Sequence, residues 1–185
     1  MMSRMSNGLL QLLCIICFAV ALPAQTPKQT QVDASRYFCP DCEDQGFANA
    51  QQPSDAVLDG LLATKEVKDS DPDLQGLSRE KLRSLFRVVP VRLGSGNEQD
   101  FLAQGQGKLT GADCYWFWIV RARDGRATVL LFTNGLSVTI LRHTTNGYSD
   151  IRGNWATAAF TGMEVFRYDG HTYRLALKQV RETKP

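Results

Sequence analysis

The chain has 185 residues, a formal net charge of +2 and 43% hydrophobic residues, which suits one folded domain of ordinary size with a real core. Basic and acidic residues nearly cancel and no more than two Lys or Arg stand in a row, so there is no electrostatic footprint for nucleic acid or an anionic membrane surface.

Residues 1–24 read as a secretory signal peptide. Arg4 and the amino terminus are positive, Leu9 to Val20 is apolar apart from Gln11, and Ala19, Ala21 and Ala24 offer small residues before a polar stretch. Cleavage is expected after Ala24, with Ala21 as the second choice. Gly8 to Leu22 is short against the roughly 20 apolar residues of a spanning helix, and Pro23 closes it. The mature chain is therefore expected in the periplasm or secreted, with no membrane span after signal cleavage.

Residues 25–47 form an expected mobile leader, polar at first and then carrying Cys39-Pro40-Asp41-Cys42. Residues 48–87 read as a short helical region with two helices. The first has Ser54 as cap, Asp55 in the first turn and Val57, Leu58, Leu61 and Leu62 on one face. An exposed acidic connection follows. The second has Ser78 as cap, Glu80 in the first turn and Leu82, Leu85 and Phe86 at helical spacing.

Residues 88–185 read as an antiparallel β-domain, with strands expected at 88–93, 101–105, 115–122, 127–133, 137–142, 148–154, 163–168 and 172–179. Four turns are expected, at Asp124-Gly125, Asn134-Gly135, Asn146-Gly147 and Asp169-Gly170, because these pairs supply the positive φ of tight hairpins. In the last hairpin Tyr173, Leu175 and Leu177 form the expected inward set. Phe166 shares a face with Glu164 and Tyr168, an imperfect alternation. The fold class is α+β, mainly β: two short N-terminal helices and a C-terminal meander forming a single sheet or a small sandwich.

Three cysteines remain after the signal: Cys39, Cys42 and Cys114. A thioredoxin-like site is disfavoured, because only about 15 mature residues precede Cys39 and Asp41, Glu43 and Asp44 oppose thiolate formation. A zinc site wants a second Cys or His pair, whereas Cys114, His143 and His171 are scattered, so no metal is expected. One disulfide in an oxidising compartment is the expectation, leaving one thiol. Cys114 bridged to Cys39 or Cys42 would close a long loop, worth roughly 4 kcal/mol, and a local Cys39 to Cys42 ring competes with it.

Tyr115-Trp116-Phe117-Trp118 places Tyr115 and Phe117 on one face of a strand and Trp116 and Trp118 on the other. This is either a strand buried on both faces or an aromatic platform. Trp116, Trp118, Tyr148 and His171 are the candidate binding residues, and no catalytic constellation is visible. His143 ends a strand, as a loop residue or a pH-sensitive contact.

The run Gly147-Tyr148-Ser149-Asp150-Ile151, then Val165-Phe166-Arg167-Tyr168-Asp169-Gly170 and Tyr173-Arg174-Leu175, resembles the strand meander of FG-GAP and VCBS-type repeats. With Cys114 opening an aromatic strand, it resembles short exported bacterial proteins of unassigned function that carry one such unit. A calcium loop of that kind needs about six to eight oxygens, and Asn146 to Asp150 offers few, so no cofactor is expected. The function expected is an exported, non-catalytic module binding a protein, glycan or envelope component. The alternative is a thiol-disulfide or metal-dependent protein acting through Cys39 and Cys42.

Overall fold

The computed structural model describes residues 36–42, 46–112 and 114–183. The expected signal segment and the leader before Arg36 lie outside the described residues. Among the described residues the chain is mainly β, with nine strands in two antiparallel sheets.

β1 (Arg36–Phe38) comes first, followed by three short helices: α1 (Asp55–Leu62), α2 (Lys65–Lys68) and α3 (Arg79–Ser84). The strands β2 (Phe86–Val91), β3 (Gln99–Gly105), β4 (Tyr115–Arg123) and β5 (Arg126–Gly135) form one sheet in that order. The strands β6 (Ser137–Thr145), β7 (Tyr148–Ala156), β8 (Phe160–Tyr168) and β9 (Tyr173–Glu182) form the other, with β1 added beside β6.

The expected single sheet is therefore two, and the cause lies at Asn134-Gly135. These residues close no hairpin; they are the last residues of β5, and after Leu136 the chain continues as β6 in the other sheet. A Cβ on Gly135 would stand 2.3 Å from the Asn154 carbonyl oxygen. The glycine thus serves a close approach of two backbones rather than a positive φ. By contrast, Asn146 and Gly147 have φ of 52° and 79° and close the β6–β7 hairpin as expected.

Phe38, Val89, Leu102, Phe117, Ile119, Leu131, Val138, Ile140, Ile151 and Phe166 pack between the sheets. The opposite face of the four-stranded sheet, with Phe86, Val88, Phe101, Trp118 and Val120, packs on Val57, Leu58 and Leu61 of α1. The layers are helix, sheet and sheet, so the middle of β4 is buried on both faces, with Phe117 and Trp118 of its aromatic run in the core and Tyr115 and Trp116 half-buried.

The two expected helices are three. Ser54 and Ser78 cap α1 and α3 by accepting from Val57 N–H and Lys81 N–H, and Val67 in the expected exposed connection is buried as part of α2. Helical spacing fails at Phe86, which opens β2 opposite Gly105 and meets Trp118 at a ring separation of 5.6 Å. Burial against β4 overrides local periodicity there.

The inward set expected in β9 is also corrected. The β8–β9 register shifts between Val165 and Phe166, so Leu177 lies opposite Val165 and Leu175 opposite Phe166. The extra residue puts the two leucines on opposite faces. Tyr173 is buried, whereas Leu175 and Leu177 are 53% and 43% exposed.

One ionic group ties the sheets together. Arg121 of β4 donates from Nε to Asp100 of β3 at 2.9 Å and from Nη1 to the Tyr168 hydroxyl at 3.3 Å. Its guanidinium lies 4.5 Å from the Tyr148 ring centroid. Burial raises the Asp100 carboxyl above its ordinary range, with the Arg121 hydrogen bond opposing. Burial also raises the Tyr173 phenol.

Candidate functional site

Alternation along the five-stranded sheet builds a cleft at the opposite end from this ionic group. Ile151 of β7 and Phe166 of β8 face each other in the sandwich core. Two and four residues along, the same face carries Gly153 and Trp155 on β7, and Glu164 and Gly162 on β8. Lys178 of β9 lies opposite Glu164. Trp155, Glu164 and Lys178, with Cys114, Asn134, Gly135, Ala156 and Thr157, line a cleft of about 290 Å3.

Trp155 sits opposite Gly162. A Cβ on Gly162 would lie 2.3 Å from two indole carbons, so the ring rests directly on that glycine. The Lys178 ammonium bonds Glu164 Oε1 at 2.7 Å and stands 5.7 Å from the indole centroid. Asn134 Nδ2 lies 4.0 Å from Cys114 Sγ. The lining charges compensate, and the groups presented are one aromatic ring, one carboxylate, one ammonium, one amide, one hydroxyl and one thiol.

A second cleft of about 430 Å3 adjoins it through Cys114, lined also by Asp41, Thr110, Gly111, Ala112, Tyr115 and Leu136. The Tyr115 hydroxyl donates to the Asp41 carboxylate, and that hydrogen bond raises the phenol above its ordinary range.

The disulfide joins Cys39 to Cys42, and Cys114 is a free, half-buried thiol. The bridge to Cys114, the pairing favoured over the local ring, is therefore corrected to its competitor. Pro40-Asp41 form a tight turn in which Cys42 N–H donates to the Cys39 carbonyl at 3.3 Å, leaving the Cα atoms 5.3 Å apart, within disulfide range. Asp41, rather than a sulfur, reaches across to the residue after Cys114.

The candidate binding residues lie elsewhere. Trp118 is fully buried on the helical side, with Trp116 half-buried beside it at 6.1 Å. The Tyr148 ring packs tilted against that of Tyr168, with centroids 4.3 Å apart, and covers Gly94. His171 is exposed in the β8–β9 turn, where its N–H donates to Asp169. The structure does not bring these four together. His143 Nδ1 meets the buried Asp150 carboxylate at 2.7 Å.

None of Trp155, Glu164, Lys178 and Asn134 was expected as a site residue: Asn134 was placed in a turn and Glu164 only marked an imperfect alternation. Glu164 was the available signal, since it occupies a buried-face position between apolar neighbours. A glycosidase pair needs two carboxylates, and this cleft's described lining carries one. Among the described residues no group of three or more His, Cys, Asp or Glu is placed to hold a metal ion, and no helix is long and apolar enough to cross a membrane. No protein-family model, curated protein or solved structure matches the chain.

Proposed function

We propose that the chain is an exported, non-catalytic binding module of the cell envelope or extracellular space, engaging its partner in the cleft beside Trp155. The observation that carries this reading is the convergence of Trp155, Glu164 and Lys178 from three strands at the open end of the sandwich. A concave site with an aromatic wall and a few placed polar groups is suited to holding a ligand. The amino-terminal apolar segment and the resemblance to short exported proteins with one FG-GAP or VCBS-like unit support a periplasmic or secreted location.

The test has two parts. A fusion to a reporter active only after export, with amino-terminal sequencing of the product, is expected to show export and cleavage after Ala24. Purified mature protein should then cosediment with washed cell envelopes, and Trp155→Ala should abolish this while keeping the melting transition. Cosedimentation unchanged by Trp155→Ala would defeat the cleft as the binding surface.

A second reading rests on the bonded Cys39–Cys42 pair, in which Cys42 is half-buried: thiol-disulfide exchange with a partner. Catalysed reduction of insulin that disappears in Cys39→Ser/Cys42→Ser would place that reading first.

A further inference from the structure

We infer that the cleft beside Trp155 is a saccharide site, and that its ligand is a neutral oligosaccharide one of whose pyranose rings stacks on the Trp155 indole; this inference rests on the binding reading above. A pyranose has an apolar C–H face and a rim of hydroxyls that both donate and accept. The cleft matches that pattern: an indole held against Gly162, with Glu164 Oε1 as acceptor and Lys178 Nζ as donor 2.7 Å from each other, and the Asn134 amide across from them.

Charge sets the class further. Glu164 and Lys178 compensate one another, and among the described residues no other charged side chain lines this cleft, so this lining favours neither an anionic nor a cationic ligand. Size is consistent with one or a few sugar rings, since about 290 Å3 lies at the lower end of small-ligand pockets.

The strands of the floor argue against an extended peptide. β7 and β8 are hydrogen-bonded to neighbours on both sides, and the free edge of β9 is the one turned away from β8, so the floor between Trp155, Glu164 and Lys178 has no free backbone with which a peptide strand pairs. The site's specificity must come from side chains, with Trp155, Glu164 and Lys178 on the five-stranded sheet and Asn134 on β5 of the other. The indole is fixed by its glycine, so little ordering is left to be done on binding.

The test is a titration of the mature protein, followed by intrinsic fluorescence and calorimetry, with a defined panel. The panel holds linear glucose, N-acetylglucosamine, mannose and galactose oligomers, and beside them a pool of extended hexapeptides. At least one oligosaccharide is expected to bind saturably, at about 10 mM or below. Trp155→Ala should weaken it by about tenfold or more, Trp155→Phe by less, and Glu164→Gln measurably, all with unchanged circular dichroism.

Saturable hexapeptide binding lost in Trp155→Ala, with no saccharide bound, overturns the saccharide inference while the binding reading stands. No saturable binding by any member of the panel overturns the inference, and the envelope cosedimentation then decides the broader reading. Saccharide binding indifferent to both Trp155→Ala and Glu164→Gln overturns this site.

Discussion

Replacing Arg121 by Met keeps a long apolar stem between the sheets and removes the charge. Asp100 is then left with its side chain 4% exposed and without its cation. Removing one partner of a buried pair costs about 3–5 kcal/mol, because the survivor is an uncompensated charge. For a domain of this size that is a fall in Tm of roughly 6–20 °C. The double variant Asp100→Leu/Arg121→Met removes both charges and should recover most of the loss, to within about 1–2 kcal/mol of wild type. Urea unfolding of the two single variants, the double and the wild type completes the cycle. In Arg121→Met the Asp100 carboxyl should rise further above its ordinary range than in wild type, so this variant should gain stability relative to wild type as pH falls from neutral towards 5. A single-variant loss below about 1 kcal/mol, as for an exposed pair, or a double no better than the sum of the singles, refutes the account of Asp100 and Arg121 as a buried, mutually compensating pair within the four-stranded sheet.

Cys39→Ser/Cys42→Ser opens only a short ring and should cost about 2 kcal/mol in denaturant melts, with untreated mature protein titrating one thiol, that of Cys114. The Asp169 carboxylate accepts from Thr172 N–H and His171 N–H, which hold it down at about 2. A depressed folded value gives stability that is present above the ordinary carboxylate range and lost as pH falls through about 2. The advantage of wild type over Asp169→Asn should therefore shrink between about pH 4 and pH 2 in thermal melts. Gly162→Val places a side chain where Trp155 now rests and should expel the indole, read as a red-shifted emission and loss of envelope cosedimentation, with the sandwich still folded.

The strands were legible because alternation and β-branched residues mark them locally, and all eight expected segments fall within or across β2 to β9. Their partition into two sheets was not. Asn134-Gly135 carries the composition of a hairpin turn, and only the proximity of the Asn154 backbone shows that the glycine answers a close approach. The β1 strand is three residues long and exists through its pairing with Val138 to Ile140, a long-range contact without a local signal. The bulge in β9 moved Leu177 to the face opposite Leu175, and it was not foreseen because an inserted residue leaves no mark in composition.

The cleft was half legible. Glu164 broke the apolar alternation of β8, and a charge on a buried face asks for a partner. That partner, Lys178, comes from the neighbouring strand, and the indole beside it comes from β7. Trp116 and Trp118 drew attention as a cluster, but clustering in a strand covered on both faces is what core packing produces. Trp155 stood alone in sequence, and its place followed from the glycine opposite.

The central claim is that the partner is held beside Trp155. The chain's three tryptophans, Trp116, Trp118 and Trp155, give separate indole Nε1–H resonances in an 15N-labelled sample, with Trp155 assigned through Trp155→Phe. The account predicts that solubilised envelope fractions, or the oligosaccharide panel, move the Trp155 resonance saturably and leave those of Trp116 and Trp118 in place. Binding that leaves Trp155 unmoved, or that shifts Trp116 or Trp118 instead, would contradict it.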